Sequence, residues 1–225
     1  MSTFKAIGIG AAMVVLAGCS TPPPKESGFL GNDYSKMHET QAPGGGNRLS
    51  YLNPKFTPAN YNAILLDPVT YYPEPQPTEN VSMETLNQIR SYVDTSLRQK
   101  IGQEVHLVDK PGPGVARIRV AVTAVGNKDQ PLAIYQYIPI ALVVTGAKAA
   151  IEGGRPQDAT IAIESSVTDS VTGELLYAAV RGGTGEEIKS STQAEGGVRL
   201  DSLKKLIDTW TSGAAQEVSK YVAAR

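Results

Sequence analysis

The chain has 225 residues, 21 Lys+Arg against 22 Asp+Glu for a formal net charge of −1, 41% hydrophobic residues and one cysteine. Near-neutral charge without a basic cluster lacks the positive footprint that nucleic-acid binding needs. The apolar fraction is too high for a wholly disordered chain, and a single thiol excludes an intrachain disulfide.

The first twenty residues, MSTFKAIGIGAAMVVLAGCS, read as a secretory signal. Lys5 gives a positive start, and Ala6 to Val15 is an apolar run too short to cross a bilayer as a mature helix. Leu16-Ala17-Gly18-Cys19 resembles a bacterial lipobox. That resemblance implies cleavage between Gly18 and Cys19, with diacylglycerol on the Cys19 sulfur as a membrane anchor. Ser20 stands where Asp would retain a lipoprotein at the inner membrane, so the expected place is the inner leaflet of the outer membrane, facing the periplasm. Mature bacterial lipoproteins typically carry three palmitate-type chains; one chain would bind only marginally.

Residues 19–60 contain Pro22-Pro23-Pro24, Pro43-Gly44-Gly45-Gly46, Pro54 and Pro58 and are expected to be a tether spanning roughly 30–40 Å. Within it, 27–37 carries Phe29, Leu30, Tyr34 and Met37, unusual for a linker. This segment is expected to dock, on the folded domain or on a partner.

The folded domain is expected over 61–225. Tyr61 to Tyr72 predicts a first strand, with Ala63 to Leu66 buried on both faces in a central position. Ser82 is placed to cap a helix to about Ile101, where Leu86, Ile89, Val93, Leu97 and Ile101 form one apolar stripe and Gly102 ends it. Glu104 to Val108 reads as a short strand. From Val115 to Val125, Ile118, Val120, Val122 and Ala124 alternate with Arg117, Arg119 and Thr123, so one sheet face packs and the other is partly wet. Residues 126–157 include Tyr135, Tyr137 and an apolar run broken by Pro139 and Gly146, read as a buried small-residue helix or loop, with a partner surface or second membrane contact as the alternative. Asp158 to Asp169 and Glu174 to Arg181 predict a hairpin around a turn formed by Asp169 and Gly173, closed by Gly182-Gly183-Thr184-Gly185. Asp201 or Ser202 caps a last helix to about Ala223, with Trp210 as its core anchor.

Chemistry-bearing patterns are sparse. His38 and His106 are isolated, no metal-ligand spacing occurs, and no nucleophile-elbow signature exists. Asp67 and Asp169 sit at strand ends, where backbone hydrogen bonding explains them better than catalysis. A non-enzymatic protein with no cofactor beyond its lipid is expected. The Cys19 lipobox, Ser27-Gly28-Phe29-Leu30 with Tyr34-Ser35, Tyr61 with Asp67-Pro68-Val69, Val108-Asp109 with Pro111-Gly112-Pro113-Gly114-Val115, and Asp169 to Glu174 occur in that order. Together they resemble the proteobacterial lipoproteins grouped as the domain-of-unknown-function family numbered thirty-three thirteen. The resemblance implies an outer-membrane-type lipoprotein without an assigned reaction.

The expected fold is a single α+β domain: four or five mostly antiparallel strands with both helices on one face. The expected function is a lipid-anchored, non-catalytic envelope protein that binds another envelope component. Phe29, Leu30, Tyr34, Tyr71, Tyr72, Tyr135 and Tyr137 are candidate partner-binding residues. The alternative is a small-molecule or glycan binder that stacks its ligand on Tyr71, Tyr72, Tyr135 and Tyr137.

Overall fold

Alternating burial along the long strands organises the molecule. A computed structural model describes residues 26–127, 157–188 and 197–223. In chain order the elements are β1 (His38–Gln41), β2 (Asn47–Leu52), β3 (Ala63–Leu66), β4 (Thr70–Tyr71), α1 (Met83–Glu104), β5 (Val115–Asn127), β6 (Gln157–Asp169), β7 (Leu175–Ile188) and α2 (Leu200–Tyr221). The seven strands form one mixed sheet ordered β1-β2-β7-β6-β5-β3, with β4 also on β5. β3 and β4 run parallel to β5, and the remaining pairings are antiparallel.

One face of the sheet carries Ile118, Val120, Val122 and Ile161 against Ile89, Val93 and Leu97 of α1 and Leu203, Ile207 and Trp210 of α2. Each such side chain, fully buried, contributes about 1.5–3 kcal/mol. Ser82 caps α1, its hydroxyl accepting from Thr85 N at 3.0 Å. The two helices are joined by polar bonds from α1: Lys100 Nζ donates to Asp208 O at 2.9 Å and Thr211 Oγ1 at 2.8 Å, and Tyr92 Oη to Asp208 Oδ1 at 2.8 Å. The β6–β7 turn forms as its residues predict. Asp169 Oδ1 accepts from the backbone N–H groups of Val171 and Thr172 at 3.0 and 2.7 Å, and Gly173 adopts a φ of +75°.

Several expectations are corrected. Seven strands replace the expected four or five, because residues 38–52, read as tether, supply β1 and β2. Short polar strands such as His38–Gln41 give no hydrophobic signal, since backbone bonds and polar side-chain pairs such as Thr40–Ser50 and Gln41–Asn47 hold them. The Ala63–Leu66 strand lies at the sheet edge and is buried because residues 105–108 cover it. Ile64 N donates to His106 O and Val108 N to Ile64 O, each at 2.9 Å, so the expected strand at 104–108 is reduced to isolated bridging, with Leu107 opposite Ile64. α1 continues through Gly102 to Glu104, and α2 starts after Arg199, which provides no side-chain cap.

The glycine run at 182–185 does not end β7, which continues to Ile188. A Cβ on Gly183 would stand 2.5 Å from the Trp210 ring, and one on Gly185 would collide with the Ser202 carbonyl oxygen. These glycines let the start of α2 lie directly on the sheet. No helix among the described residues is long and apolar enough to cross a membrane.

Candidate functional site

That close approach has a consequence further along α2. Its first half is pressed onto glycines, while its second half stands over a gap. The gap is a cavity of about 170 Å³ between the helices and the inner face of the sheet. Its deep wall includes Ile64, Val93, Leu97, Ile101 and Ile118, all buried. Ala116, Ala179 and Ala214 contribute small side chains that leave the space open. Its outer end is formed by Leu52, Glu217 and Tyr221, and Leu52 is 42% exposed, so the cavity reaches the surface there.

A charged cluster stands on the wall nearest β2 and β7. Arg48 makes a bidentate pair with Glu217, both N···O distances 2.6 Å, and lies over the Tyr177 ring at 5.5 Å. Arg181 stacks on Trp210 at 4.6 Å and donates to the carbonyls of Pro43 at 3.0 Å and Gly45 at 2.5 Å. No carboxylate among the described residues pairs with Arg181. Burial and the neighbouring Arg48 charge lower its pKa to about 10. The Tyr177 hydroxyl is buried with no hydrogen-bond partner among the described residues. Burial, and secondarily the Glu217 charge, push its pKa up. The cluster therefore holds two guanidiniums, one carboxylate and an unused hydroxyl beside an apolar space. Chemically this arrangement can bind and orient an apolar group; the described residues contain no group of His, Cys, Asp and Glu able to hold a metal.

The opposite face of the sheet is covered by residues 26–37. Phe29 and Leu30 pack on Ala121, Ala178 and Val180, with Tyr34, Met37 and Leu49 at the margin. At the centre lies Glu164, 4% exposed, whose Oε2 accepts from Tyr34 Oη at 2.6 Å. Burial raises the Glu164 pKa, against the opposing hydrogen bonds from Tyr34, Ser27 and Thr123. Burial, with the bond to Glu164, raises Tyr34 to about 12.

The docking segment expected at 27–37 is thus seated on its own domain. The candidate partner-binding residues Phe29, Leu30 and Tyr34 are spent on this intramolecular contact, because the small apolar outer face of β5 and β7 needs a cover. Tyr71 is in the core, its hydroxyl donating to Leu86 O at 2.7 Å. Tyr72 is 41% exposed and meets the Phe29 edge at 5.8 Å. Tyr71 and Tyr72 therefore serve opposite faces and do not make one stacking surface. Tyr135, Tyr137, Gly18, Cys19 and Ser20 lie outside the described residues, as does most of 126–157. Asp67 pairs with Arg117 at 2.7 Å, and His38 and His106 are exposed.

Arg48, Tyr177, Arg181, Glu217 and Glu164 were not anticipated from sequence. One signal was present: Tyr177, Ala179 and Arg181 share a face of β7, so an arginine falls in an inward-facing series. Arg48 gave none, standing in a segment read as tether.

Comparison with known proteins places the chain. The family described as "Protein of unknown function (DUF3313)" matches residues 25–214, and the chain belongs to it. The uncharacterized lipoprotein YdcL of Escherichia coli K12 is 31% identical over 216 residues, covering 95% of each chain, and the O157:H7 protein of that name matches equally. Among solved structures, a PelC dodecamer from Paraburkholderia phytofirmans is similar at 9% identity and a TM-score of 0.34, covering 79% of this chain and 96% of its own. A neuraminyllactose-binding hemagglutinin homolog from Helicobacter pylori is similar at 8% identity and a TM-score of 0.32, covering 75% of this chain and 86% of its own. Both are distant likenesses.

Proposed function

We propose that this DUF3313 lipoprotein is a non-catalytic binding protein, anchored by lipid on Cys19 in the inner leaflet of the outer membrane, with its domain in the periplasm. It binds another component of the envelope, which inserts an apolar group into the cavity between the sheet and the second half of α2. The observation that carries this reading is the cavity itself: about 170 Å³, apolar in its depth and open past Leu52. A space comparable to an engineered 150 Å³ cavity that binds benzene is large enough for a ligand group. The lipid anchor rests on the lipobox residues and is supported by the relative's name as a lipoprotein.

The test places a photocrosslinking residue at Leu52 in cells, alone and combined with Ala214→Leu, which fills the cavity from α2. A specific adduct that disappears with Ala214→Leu is the expected result. An adduct pattern indifferent to the filled cavity refutes the reading. Separately, Cys19→Ser is expected to abolish fatty-acid labelling and leave uncleaved precursor; normal labelling would refute the anchor.

A further inference from the structure

We infer that the cavity takes an anionic amphiphile, an alkyl or aryl group bearing one carboxylate, with the carboxylate held by the Arg181 guanidinium and the Tyr177 hydroxyl. This rests on the reading of the cavity as a binding site and adds the chemistry of its occupant.

The charge cluster decides the sign of the headgroup. Arg48 is neutralised by its two bonds to Glu217. Arg181 spends two of its five N–H donors on the Pro43 and Gly45 carbonyls, neutral acceptors that leave its charge unbalanced. Arg181 is half-buried and has no ion-pair partner among the described residues, and a carboxylate is the group that its planar fork matches. Tyr177 supplies a buried donor with no partner among the described residues, on the same cavity wall. Buried donors are nearly always satisfied, so an unused one beside a guanidinium with no ion-pair partner among the described residues points to an acceptor that arrives with the ligand.

The cavity decides the size of the tail. Its volume of about 170 Å³ corresponds to a ring or chain of about six carbons, judged against benzene in an engineered cavity. Val93, Leu97 and Ile118 give the tail an apolar wall, with Ser165 and Thr211 among the polar residues elsewhere in the lining, so a mainly hydrocarbon tail fits.

Trp210 is the sole tryptophan of the chain, lines the cavity and stacks on Arg181, so its fluorescence reports on the site directly. The purified mature chain, held in zwitterionic-lipid nanodiscs, is titrated with hexanoate, hexan-1-ol and hexylammonium. Hexanoate is expected to give a saturable change at least about tenfold tighter than hexan-1-ol, with hexylammonium weakest, as for a charge-assisted bond in a buried site. Tyr177→Phe, which removes only a hydroxyl, is expected to weaken hexanoate about tenfold and leave hexan-1-ol unchanged. Arg181→Met is expected to abolish the preference for the anion. Equal binding of hexanoate and hexan-1-ol overturns the anionic headgroup while leaving the cavity as a binding site. Absence of any saturable signal overturns both. Tighter binding of hexylammonium overturns the assignment of charge.

Discussion

Replacing Tyr177 by phenylalanine removes a single oxygen from the wall of the cavity, and the structure gives that change an unusual sign. The hydroxyl is buried without a partner among the described residues. An unsatisfied buried polar group costs about 1–3 kcal/mol, the desolvation that no bond repays. Phenylalanine keeps the ring and the aromatic face under Arg48 at 5.5 Å. Taking the lower end of the range, Tyr177→Phe should stabilise the ligand-free protein by about 1 kcal/mol. For a chain of this size that raises Tm by about 2–4 °C. Urea unfolding followed by Trp210 fluorescence, with calorimetry alongside, measures it, and an unchanged m-value would show that stability and not the unfolded state has moved. A loss of about 0.5 kcal/mol or more would refute the reasoning, because it would show the hydroxyl already bonded. The same substitution is the one expected to weaken carboxylate binding, so stability and binding should move in opposite directions.

Three further outcomes follow from the packing. Burial raises the Glu164 pKa above its ordinary value, so its favourable contribution is present at low pH and declines as pH rises through the folded-state pKa. Glu164→Gln, whose amide oxygen can still accept from Tyr34, should therefore flatten the stability-versus-pH curve above the ordinary carboxylate range; an unchanged slope in urea midpoints between about pH 4 and about pH 8 would contradict it. Tyr34→Phe removes the 2.6 Å bond to Glu164 and should cost about 1.5–3 kcal/mol, with faster proteolytic cleavage in 26–37; resistance equal to wild type would disprove the strap. Gly185→Ala places a methyl group against the Ser202 carbonyl and should destabilise by about 1–3 kcal/mol, read as a fall in Tm; an unchanged Tm would show that α2 does not lie so close.

Much of the fold was legible because strong periodicities survive in single elements. The α1 stripe from Leu86 to Ile101, the alternation of β5 from Ile118 to Val122 and the Asp169–Gly173 turn each report a local preference that the tertiary structure obeys, whereas a bulge after Val122 puts Val125 and not Ala124 with the core. The strands at 38–52 were not legible. They are short, polar and embedded among Pro and Gly, and they form because the edge of β7 presents unpaired backbone groups to residues 49–52. Similarly, Glu164 reads as an exposed strand position, since alternation alone cannot reveal that a strap from residues 26–37 closes over that face.

The candidate site lies almost wholly on the tertiary side of this division. By itself the amino-acid sequence determined the α+β class and the two amphipathic helices, because periodicity and turn residues are local signals, and it carried the lipobox-like stretch that ends at Cys19. Only the tertiary structure decided that Arg48, Tyr177, Arg181, Trp210 and Glu217, spread over 170 residues of chain, share one cavity wall. The physical reason is that a cavity belongs to no element. It arises where glycines at 183 and 185 set the distance between α2 and the sheet, and where alanines on three separate elements decline to fill what remains.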